Sequence, residues 1–434
     1  MTWCAIPPGG AYWLRDVRMP GNPPERLQRV DIRVADGRIA AIEPVGTACS
    51  GPSGDGGMVL PCFVDVHTHL DKGHIWPRCP NPDGTFMGAI SAVSNDRGTN
   101  WSAEDTRARF EFGLRCAYAH GTAAIRTHLD TYLPHGRTTW RVFAELRDAW
   151  AGRIDLQASS ICPIDRLAGE DGTALADLVA DHGGVLGFVT RFTGQGHDAI
   201  PPGFEELLDR AFQLAEERGL DLDLHVDESS ETQAATLPII ARTAIRRGFK
   251  HRIQVGHICS LSLQPDAVIE ETIRVVQQAG IAVVSLPMCN LYLQDRAAGR
   301  TPRWRGVTLL HELDAAGIAV SVASDNCRDP FYAYGDHDML EVFQSAVRIA
   351  HLDAPLGRWP NAIAETPAAV MGLSERGRLR PGGPADFVLF RARFWHELLA
   401  RGQGDRIVVR AGRAINTTLP DYRELDALVG LTSG

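Results

Sequence analysis

An apolar run that ends in two histidines one residue apart, His67 and His69, constrains this chain more than any other feature. Residues i and i+2 of a β-strand project from the same face, so these imidazoles would lie side by side at the C-terminal end of a strand. Such a run is typical of a strand buried on both faces, and catalytic groups collect at that end of the strands in a parallel β/α barrel. The motif predicts a metal-binding pair. Two histidines without a function remain the alternative, because short motifs have many false positives.

Three further strand-like runs end in residues that can bind a metal or carry a proton. Residues 222–228 contain His225 and Glu228, residues 252–257 end in His257, and residues 318–326 contain Asp325. The runs alternate with helix-like segments that close on a glycine suited to a helix C-cap. These segments are residues 204–219, 237–248, 267–280 and 309–317. Strands alternating with helices indicate βα units and a parallel sheet, so we expect the four strand ends to meet at one rim.

The residue types at this rim predict a metal-centred hydrolytic site. Three imidazoles and one carboxylate suit zinc or iron, and a water in the remaining position becomes a source of hydroxide near neutral pH. Glu228 would lie one helical turn beyond His225, where it could shuttle protons between that water and a substrate nitrogen. His257 could hold the attacking water or polarise developing charge. For either residue alone, a surface glutamate or a core histidine is the simpler interpretation.

The chain resembles the amidohydrolase superfamily, and within it the cytosine deaminase branch of metal-dependent aminohydrolases. The likeness runs almost end to end, through residues 61–72, 124–130, 154–157, 225–228, 255–257, 290–296, 305–307 and 324–332. The resemblance implies a (β/α)8 TIM-like barrel. By this resemblance, the family's metal ligands correspond to His67, His69, His225 and Asp325, and Asp325 is also expected to be a catalytic residue. The resemblance matches Glu228 to the proton shuttle and His257 to the histidine that polarises the water.

The fourth strand separates one-metal from two-metal members of the superfamily. A two-metal site needs a bridging acid or a carboxylated lysine at the end of that strand, and residues 184–191 offer neither. We therefore expect one divalent ion per chain, zinc or iron, which argues against hydrolysis of the hydantoinase or urease type.

Departures from the cytosine deaminase pattern concern the substrate. Proline at position 163 replaces the glutamine that reads the pyrimidine edge, Asn326 replaces the second acid of an Asp-Asp pair, and Phe331 replaces a tryptophan. Lys72 resembles a lysine of relatives that hydrolyse alkylamino-triazines, with a solvated charge at the barrel rim as the alternative. We expect the substrate to contact these four residues and Cys162. A site built to bind one heterocycle edge discriminates strongly, so the changes predict another ring than cytosine, stacked on Phe331 or on a tryptophan of the 76–101 loop.

The termini predict a second domain. Residues 30–42 alternate apolar and polar side chains around an Asp36-Gly37 turn, a strong hairpin signal, and residues 385–390 and 406–413 repeat the pattern. We expect residues 1–59 and 376–434 to form one small β-sandwich beside a barrel of residues 60–375. A barrel of this size is usual for the fold.

Charge and cysteine usage limit the partners. The net charge is −9 with no basic stripe, which gives no electrostatic footprint for nucleic acid. Nine cysteines without a C-x-x-C pair favour reduced thiols in a cytoplasm. The N-terminal residues do not resemble a signal peptide, and no apolar run approaches the roughly 20 residues of a membrane span. A small heterocycle is the expected partner, and the oligomeric state stays open, a homo-oligomer being one alternative.

The sequence thus predicts hydrolytic deamination of an N-heterocycle, with hydroxide adding to the amino-bearing ring carbon and ammonia leaving. Alternatives within enzymes are a pterin or aminotriazine aminohydrolase, or hydrolytic release of an N-alkylamine. A metal-dependent binding protein without turnover is the alternative from another class. It would be expected to have lost Glu228, His257 or Asp325, and all three are present.

Overall fold

The structure is a computed structural model that describes residues 3–430. Its strands are β1 (Tyr12–Pro20), β2 (Leu27–Ala35), β3 (Arg38–Pro44), β4 (Met58–Pro61), β5 (Phe63–Thr68), β6 (Thr122–Asp130), β7 (Asp155–Ile161), β8 (Leu186–Val189), β9 (Leu222–Val226), β10 (Ile253–His257), β11 (Ala282–Ser285), β12 (Val320–Val322), β13 (Phe387–Phe390), β14 (Ile407–Arg410) and β15 (Arg413–Ala414). Its α-helices are α1 (Phe86–Asn100), α2 (Ala103–His120), α3 (His135–Ala149), α4 (Gly169–Asp181), α5 (Phe204–Arg218), α6 (Leu237–Arg247), α7 (Asp266–Ala279), α8 (Pro287–Leu293), α9 (Leu310–Ala315), α10 (Met339–Ala350), α11 (Glu365–Val370) and α12 (Trp395–Ala400). Four short 3₁₀ segments lie between them.

Eight parallel strands form the centre of the molecule. A three-stranded sheet, β5-β6-β7, and a five-stranded sheet, β8 to β12, follow chain order. Parallel bridges join them on both sides, with Ser159 and Pro163 opposite Val185 and Val189, and Thr68 opposite Asp325. Helices cover the outside, which gives a TIM-barrel-like α/β fold. The first and last central strands therefore meet, and the residues that follow them become neighbours.

The central strands are apolar because both of their faces are covered. Every residue of β5, β6, β9 and β10 is buried. The predicted helices are present, and α5, α6 and α7 each end at a glycine in the left-handed conformation. In that conformation glycine avoids the steric cost that a Cβ atom would add. One face of each helix packs on the barrel, as Leu208 and Phe212 of α5 do.

The remaining strands come from both ends of the chain and form one hydrogen-bonded sheet of seven strands, in the order β15-β14-β13-β4-β1-β2-β3. The predicted hairpin joins β2 to β3, with Asp36 and Gly37 both at positive φ, as a type I′ turn requires. Strand β13 pairs with β4, so that Leu60 lies opposite Val388. The two terminal segments are thereby held in one unit next to the barrel.

Among the helices of residues 3–430, none combines the length and the apolar character that crossing a bilayer requires.

Candidate active site

The four predicted metal ligands lie together at the C-terminal ends of the central strands. His67 is on β5, His69 follows it, His225 is on β9 and Asp325 follows β12. The Nε2 atoms of His67 and His69 lie 3.5 and 3.2 Å from Oδ1 of Asp325, and Nε2 of His225 lies 3.4 Å from Nε2 of His69. Asp325 is positioned by its backbone N–H, which donates to the carbonyl of His67 at 2.9 Å. One ligand atom from each residue therefore points to a common centre.

The chemistry of this donor set fits a divalent metal ion. Several ligand nitrogens and the Asp325 Oδ1 atom are buried without a hydrogen-bond partner among the described residues. Burial lowers the pKa of His69 and of His225 well below the usual value, so both imidazoles are neutral, which is the form that binds metals. Burial opposes ionisation of Asp325, but the His67 and His69 imidazoles beside its carboxylate hold its pKa well below the usual range. Imidazoles with one carboxylate suit zinc or iron.

A polar layer beneath the ligands was not predicted from the sequence. His128 of β6 stacks against His67 with 3.9 Å between the ring centroids, and its Nε2 lies 3.2 Å from Oδ1 of Asp223. Arg126 and Gln254 each donate to Asp223 at 2.9 Å. The signal for this layer is the two-residue period of the strands, because Arg126 and His128 share one face of β6 as Asp223 and His225 share one face of β9.

Glu228 and His257 contact each other beside the metal ligands. Nδ1 of His257 lies 3.3 Å from Oε1 of Glu228, and the Asn290 amide donates to that oxygen at 3.3 Å and to Nδ1 at 3.0 Å. Burial, together with the charge of Asp325, raises the pKa of Glu228 well above its usual value. Burial lowers the pKa of His257 to about 3. A neutral imidazole that accepts at Nδ1 carries its proton on Nε2.

The prediction that Glu228 lies one helical turn beyond His225 is wrong. Strand β9 ends at Val226, and Asp227 adopts a left-handed conformation with φ of 50°. The side chain of Asp227 accepts hydrogen bonds from Thr236 and from the backbone N–H of Leu237. This folded loop, not a helix, places Glu228 at the site.

A cleft above the ligands collects the residues predicted to contact substrate. Its lining includes Lys72, Cys162, Pro163, Asn326 and Phe331, together with Glu228, His257, His69, His225 and Asp325. The predicted substrate residues and the predicted chemical residues thus face one space.

Lys72 is buried in the cleft wall, so the alternative of a solvated rim charge is wrong. Its ammonium donates to Oδ1 of Asp130 at 2.7 Å and lies 5.5 Å from the centre of the Phe331 ring. Burial opposes the charge of Lys72, but Asp130 and Asp71 raise its pKa above the usual value. Lys72 is therefore a cation held inside the site.

The side-chain amide of Asn326 forms a hydrogen bond within its own loop. The amide donates to Oδ2 of Asp329 at 2.7 Å, and the other oxygen of Asp329 accepts from the backbone N–H groups of Phe331 and Tyr332. These bonds hold the Phe331 ring at the cleft wall. The ring meets Phe86 edge to face, with 5.7 Å between centroids.

Helix α1 supplies the other wall of the cleft. Residues 86–100 are this helix rather than a loop, and its Phe86 lines the cleft, whereas Trp76 and Trp101 are not among the described lining residues. Of the two predicted stacking partners, Phe331 lines the cleft and the tryptophans of this segment do not. A single aromatic residue facing inward from a helix leaves no distinctive sequence signal.

Polar groups that the sequence analysis missed also line the cleft. They are Arg97, Asp130, Tyr132, Arg191 and His197. Arg97 donates to Oδ2 of Asp130 at 2.5 Å and lies over the Tyr132 ring at 4.1 Å. Arg191 is buried, donates to the carbonyl of Gln195 at 3.1 Å, and has no partner for Nε within residues 3–430.

Comparison with known proteins identifies the family. Residues 163–413 match the profile of the amidohydrolase family. The chain is also 52% identical to the pterin deaminase of Rhizobium rhizogenes over 94% of its length and 93% of that protein. The chain belongs to the amidohydrolase family. This confirms the family prediction and the prediction of a hydrolase that acts on carbon–nitrogen bonds.

More distant relatives of this amidohydrolase share its length and fold. It is 24% identical to N-isopropylammelide isopropyl amidohydrolase of Pseudomonas sp. strain ADP, over 83% of this chain and 87% of that protein. Among solved structures, 5-methylcytosine deaminase from Klebsiella pneumoniae superimposes with a TM-score of 0.81 at 24% identity, covering 94% of this chain and 98% of that one. The structural likeness supports the TIM-barrel-like fold.

Proposed function

We propose that this amidohydrolase is a pterin deaminase, which replaces the exocyclic amino group of the pterin ring with oxygen and releases ammonia. The observation that carries the proposal is the 52% identity to the R. rhizogenes pterin deaminase, which extends over nearly the whole of both chains. A complete set of metal-binding and proton-carrying side chains at one cleft supports turnover rather than binding alone.

The ligand geometry supports one divalent ion, zinc or iron, held by His67, His69, His225 and Asp325. An ion held by these residues would supply hydroxide near neutral pH. Strand β8, of sequence Leu-Gly-Phe-Val, offers no acid or lysine to bridge a second ion at this centre.

Glu228 moves the protons of the reaction. Its raised pKa suits a carboxyl group that takes a proton from water and returns it to the substrate. The first proton, taken from the attacking water, goes to the ring nitrogen next to the amino-bearing carbon. The second is taken from the new hydroxyl group on that carbon and goes to the amino nitrogen, so that the carbon–nitrogen bond breaks, the hydroxyl becomes a carbonyl and ammonia leaves. His257, neutral and carrying its proton on Nε2, donates a hydrogen bond to the oxygen that adds to the ring.

The cleft walls orient the ring. Phe331 and Phe86 provide flat apolar surface, while Lys72 and Asn326 lie at the polar edge. Cys162 and Pro163 follow β7 and present no amide side chain, so a pyrimidine edge finds no bidentate partner there. We infer that contacts between the larger fused ring and the cleft walls replace the hydrogen bonds that a glutamine would make with cytosine.

A second candidate reaction is hydrolysis of an aminotriazine, with release of ammonia or an N-alkylamine. The buried position of Lys72 and the similarity to N-isopropylammelide isopropyl amidohydrolase favour it. Because the identity to that relative is much lower, 24%, we favour pterin deamination over this second reaction.

We also infer the organisation around this site. Residues 62–375 form a closed (β/α)8 barrel, and the described parts of the terminal segments, residues 3–61 and 376–430, form a composite domain of β-sandwich type. The predicted boundary at residue 60 moves because Leu60 and Pro61 belong to β4, which pairs with β13, and residues 1–2 and 431–434 lie outside the described residues. The bridges at both barrel edges and the shared seven-stranded sheet support this division. Nine free cysteines support a reducing cytoplasm, and a homo-oligomer is compatible with these features.

An ammonia-release assay tests the proposal. Metal-reconstituted protein is given pterin, cytosine and an aminotriazine, and ammonia is measured together with the absorbance of the ring product. The highest kcat/KM is expected for pterin. Activity on the triazine above that on pterin would establish the second candidate, and no release from any ring would refute deamination. A Glu228→Gln preparation made in parallel measures contaminating activity.

A further inference from the structure

A second cluster of metal-binding side chains lies outside the cleft. His74 is in the turn after β5, and Cys327 and His337 are in the segment between β12 and α10. One ligand atom from each lies within 4.8 Å of the other two. Their exposed fractions are 2%, 1% and 2%, and none of the three lines the cleft.

The imidazoles of this cluster are left without adequate hydrogen bonds. In residues 3–430, neither ring nitrogen of His74 has a partner, and Nε2 of His337 has none. Nδ1 of His337 has only the Thr68 hydroxyl, at 3.5 Å. Burying polar atoms without partners is costly, so native structures rarely leave both nitrogens of a buried histidine unsatisfied. A metal ion would satisfy one nitrogen of each ring, because a neutral imidazole offers one lone pair.

We propose that His74, Cys327 and His337 bind a zinc ion distinct from the catalytic ion. Two imidazoles and a thiolate are typical zinc ligands, and a water would complete the tetrahedron. The charged groups around the cluster are of both signs. Arg109 is paired with Asp105 at 2.6 Å and Arg328 lies over the Tyr422 ring at 4.1 Å, while Asp336, next to His337, lies 2.9 Å from Nε2 of His120. This donor set contains sulfur, whereas the catalytic set contains only nitrogen and oxygen.

The ion would connect the two loops that border the active site. The loop after β5 carries Lys72, and the loop after β12 carries Asn326 and Phe331. The loops are already paired, since the backbone N–H of His74 donates to the carbonyl of Cys327 at 3.1 Å. A zinc ion at this point would cross-link the exits of the first and last barrel strands and hold the cleft walls in register.

Metal counting and cobalt substitution test the proposal. A Cys49→Ser background removes the exposed thiol, and the metal-free protein is then loaded with zinc and passed through a desalting column. Two equivalents of zinc are expected in this background and one in its Cys327→Ser variant. With cobalt(II), a thiolate-to-cobalt charge-transfer band in the near ultraviolet is expected in the background and should be absent in Cys327→Ser.

Matched variants separate this site from the catalytic one. Cys62→Ser changes another buried thiol outside the cluster and should keep both the second equivalent and the band. His69→Asn should lose the catalytic ion and keep the band, so failure of the proposed function would not be mistaken for failure of this site. His337→Gln should lose the band and serves as the decisive variant if Cys327→Ser does not fold. A single equivalent without a band, or a band that survives Cys327→Ser or His337→Gln, would overturn the proposal.

Discussion

Replacing Glu228 with glutamine changes the proton-carrying group and little else. Glutamine has nearly the shape of glutamate, and its amide oxygen can still accept from the Asn290 amide, which donates to Glu228 at 3.3 Å. The side chain is buried, at 7% exposure, so its position depends on neighbours that the substitution leaves in place. The metal ligands are other residues, and we expect the variant to keep its catalytic ion.

The expected loss of rate follows from the role of the carboxyl group. Positioned acid–base catalysis contributes about 10²–10⁴-fold, and each tenfold corresponds to about 1.4 kcal/mol of activation free energy. Glu228 serves two proton transfers, so we expect the loss at the upper end, about 10⁴-fold or about 5.5 kcal/mol. Because the cleft walls are unchanged, KM should change much less than kcat.

Steady-state ammonia release on pterin measures kcat and KM, and elemental analysis of the same preparation measures the metal content. Glu231→Gln is the matched control, since this exposed glutamate lies on the same loop away from the cleft, and it should behave as the wild type. Loss of the catalytic ion from Glu228→Gln would show that Glu228 is a ligand. A variant that retains its metal and more than about a tenth of the activity would refute the shuttle role.

Further predictions concern stability, pH and specificity. Lys72→Met should destabilise the fold by about 3 kcal/mol in urea unfolding, the low end for a broken buried pair because Arg97 still pairs with Asp130. A loss of less than about 1 kcal/mol, the range of exposed ion pairs, would contradict the reasoning. Burial raises the pKa of Asp329 to about 7, so between about pH 4 and 7 the folded state keeps a proton that the unfolded state releases, and stability falls as pH rises through that window. In Asp329→Asn the free energy of unfolding should fall less steeply with pH, by up to about 1.4 kcal/mol per pH unit. If the urea midpoints of the variant and of the wild type changed equally with pH, the titration of Asp329 would be ruled out. Cytosine should show kcat/KM about 10–200-fold below pterin on one preparation, and equal values would show that Pro163 does not set specificity.

The meeting of the four candidate metal ligands and the TIM-barrel-like fold could be predicted from the sequence because their signals are local. His67 and His69 share a strand face through the two-residue period, and His225 and Asp325 end apolar runs that alternate with helices. In a parallel sheet all such ends lie at one edge, so four segments far apart in the chain could be assigned to one site without knowledge of any contact. The Asp36-Gly37 hairpin was equally local, since the turn residues themselves require positive φ.

Other features depended on which distant segments meet, and these only the tertiary structure decided. From the sequence, a solvated charge at the rim is one interpretation of Lys72, but β6 brings Asp130 within 2.7 Å of its ammonium group. The sequence likewise predicts a helical position for Glu228, but the left-handed conformation of Asp227 turns the chain before it. His74 and His337 are ordinary loop histidines in the sequence. They become neighbours because a parallel bridge places Thr68 opposite Asp325, which lies 257 residues further along the chain. Periodicity specifies which face of a strand a residue occupies, but the pairing of distant strands determines which other residues that face contacts.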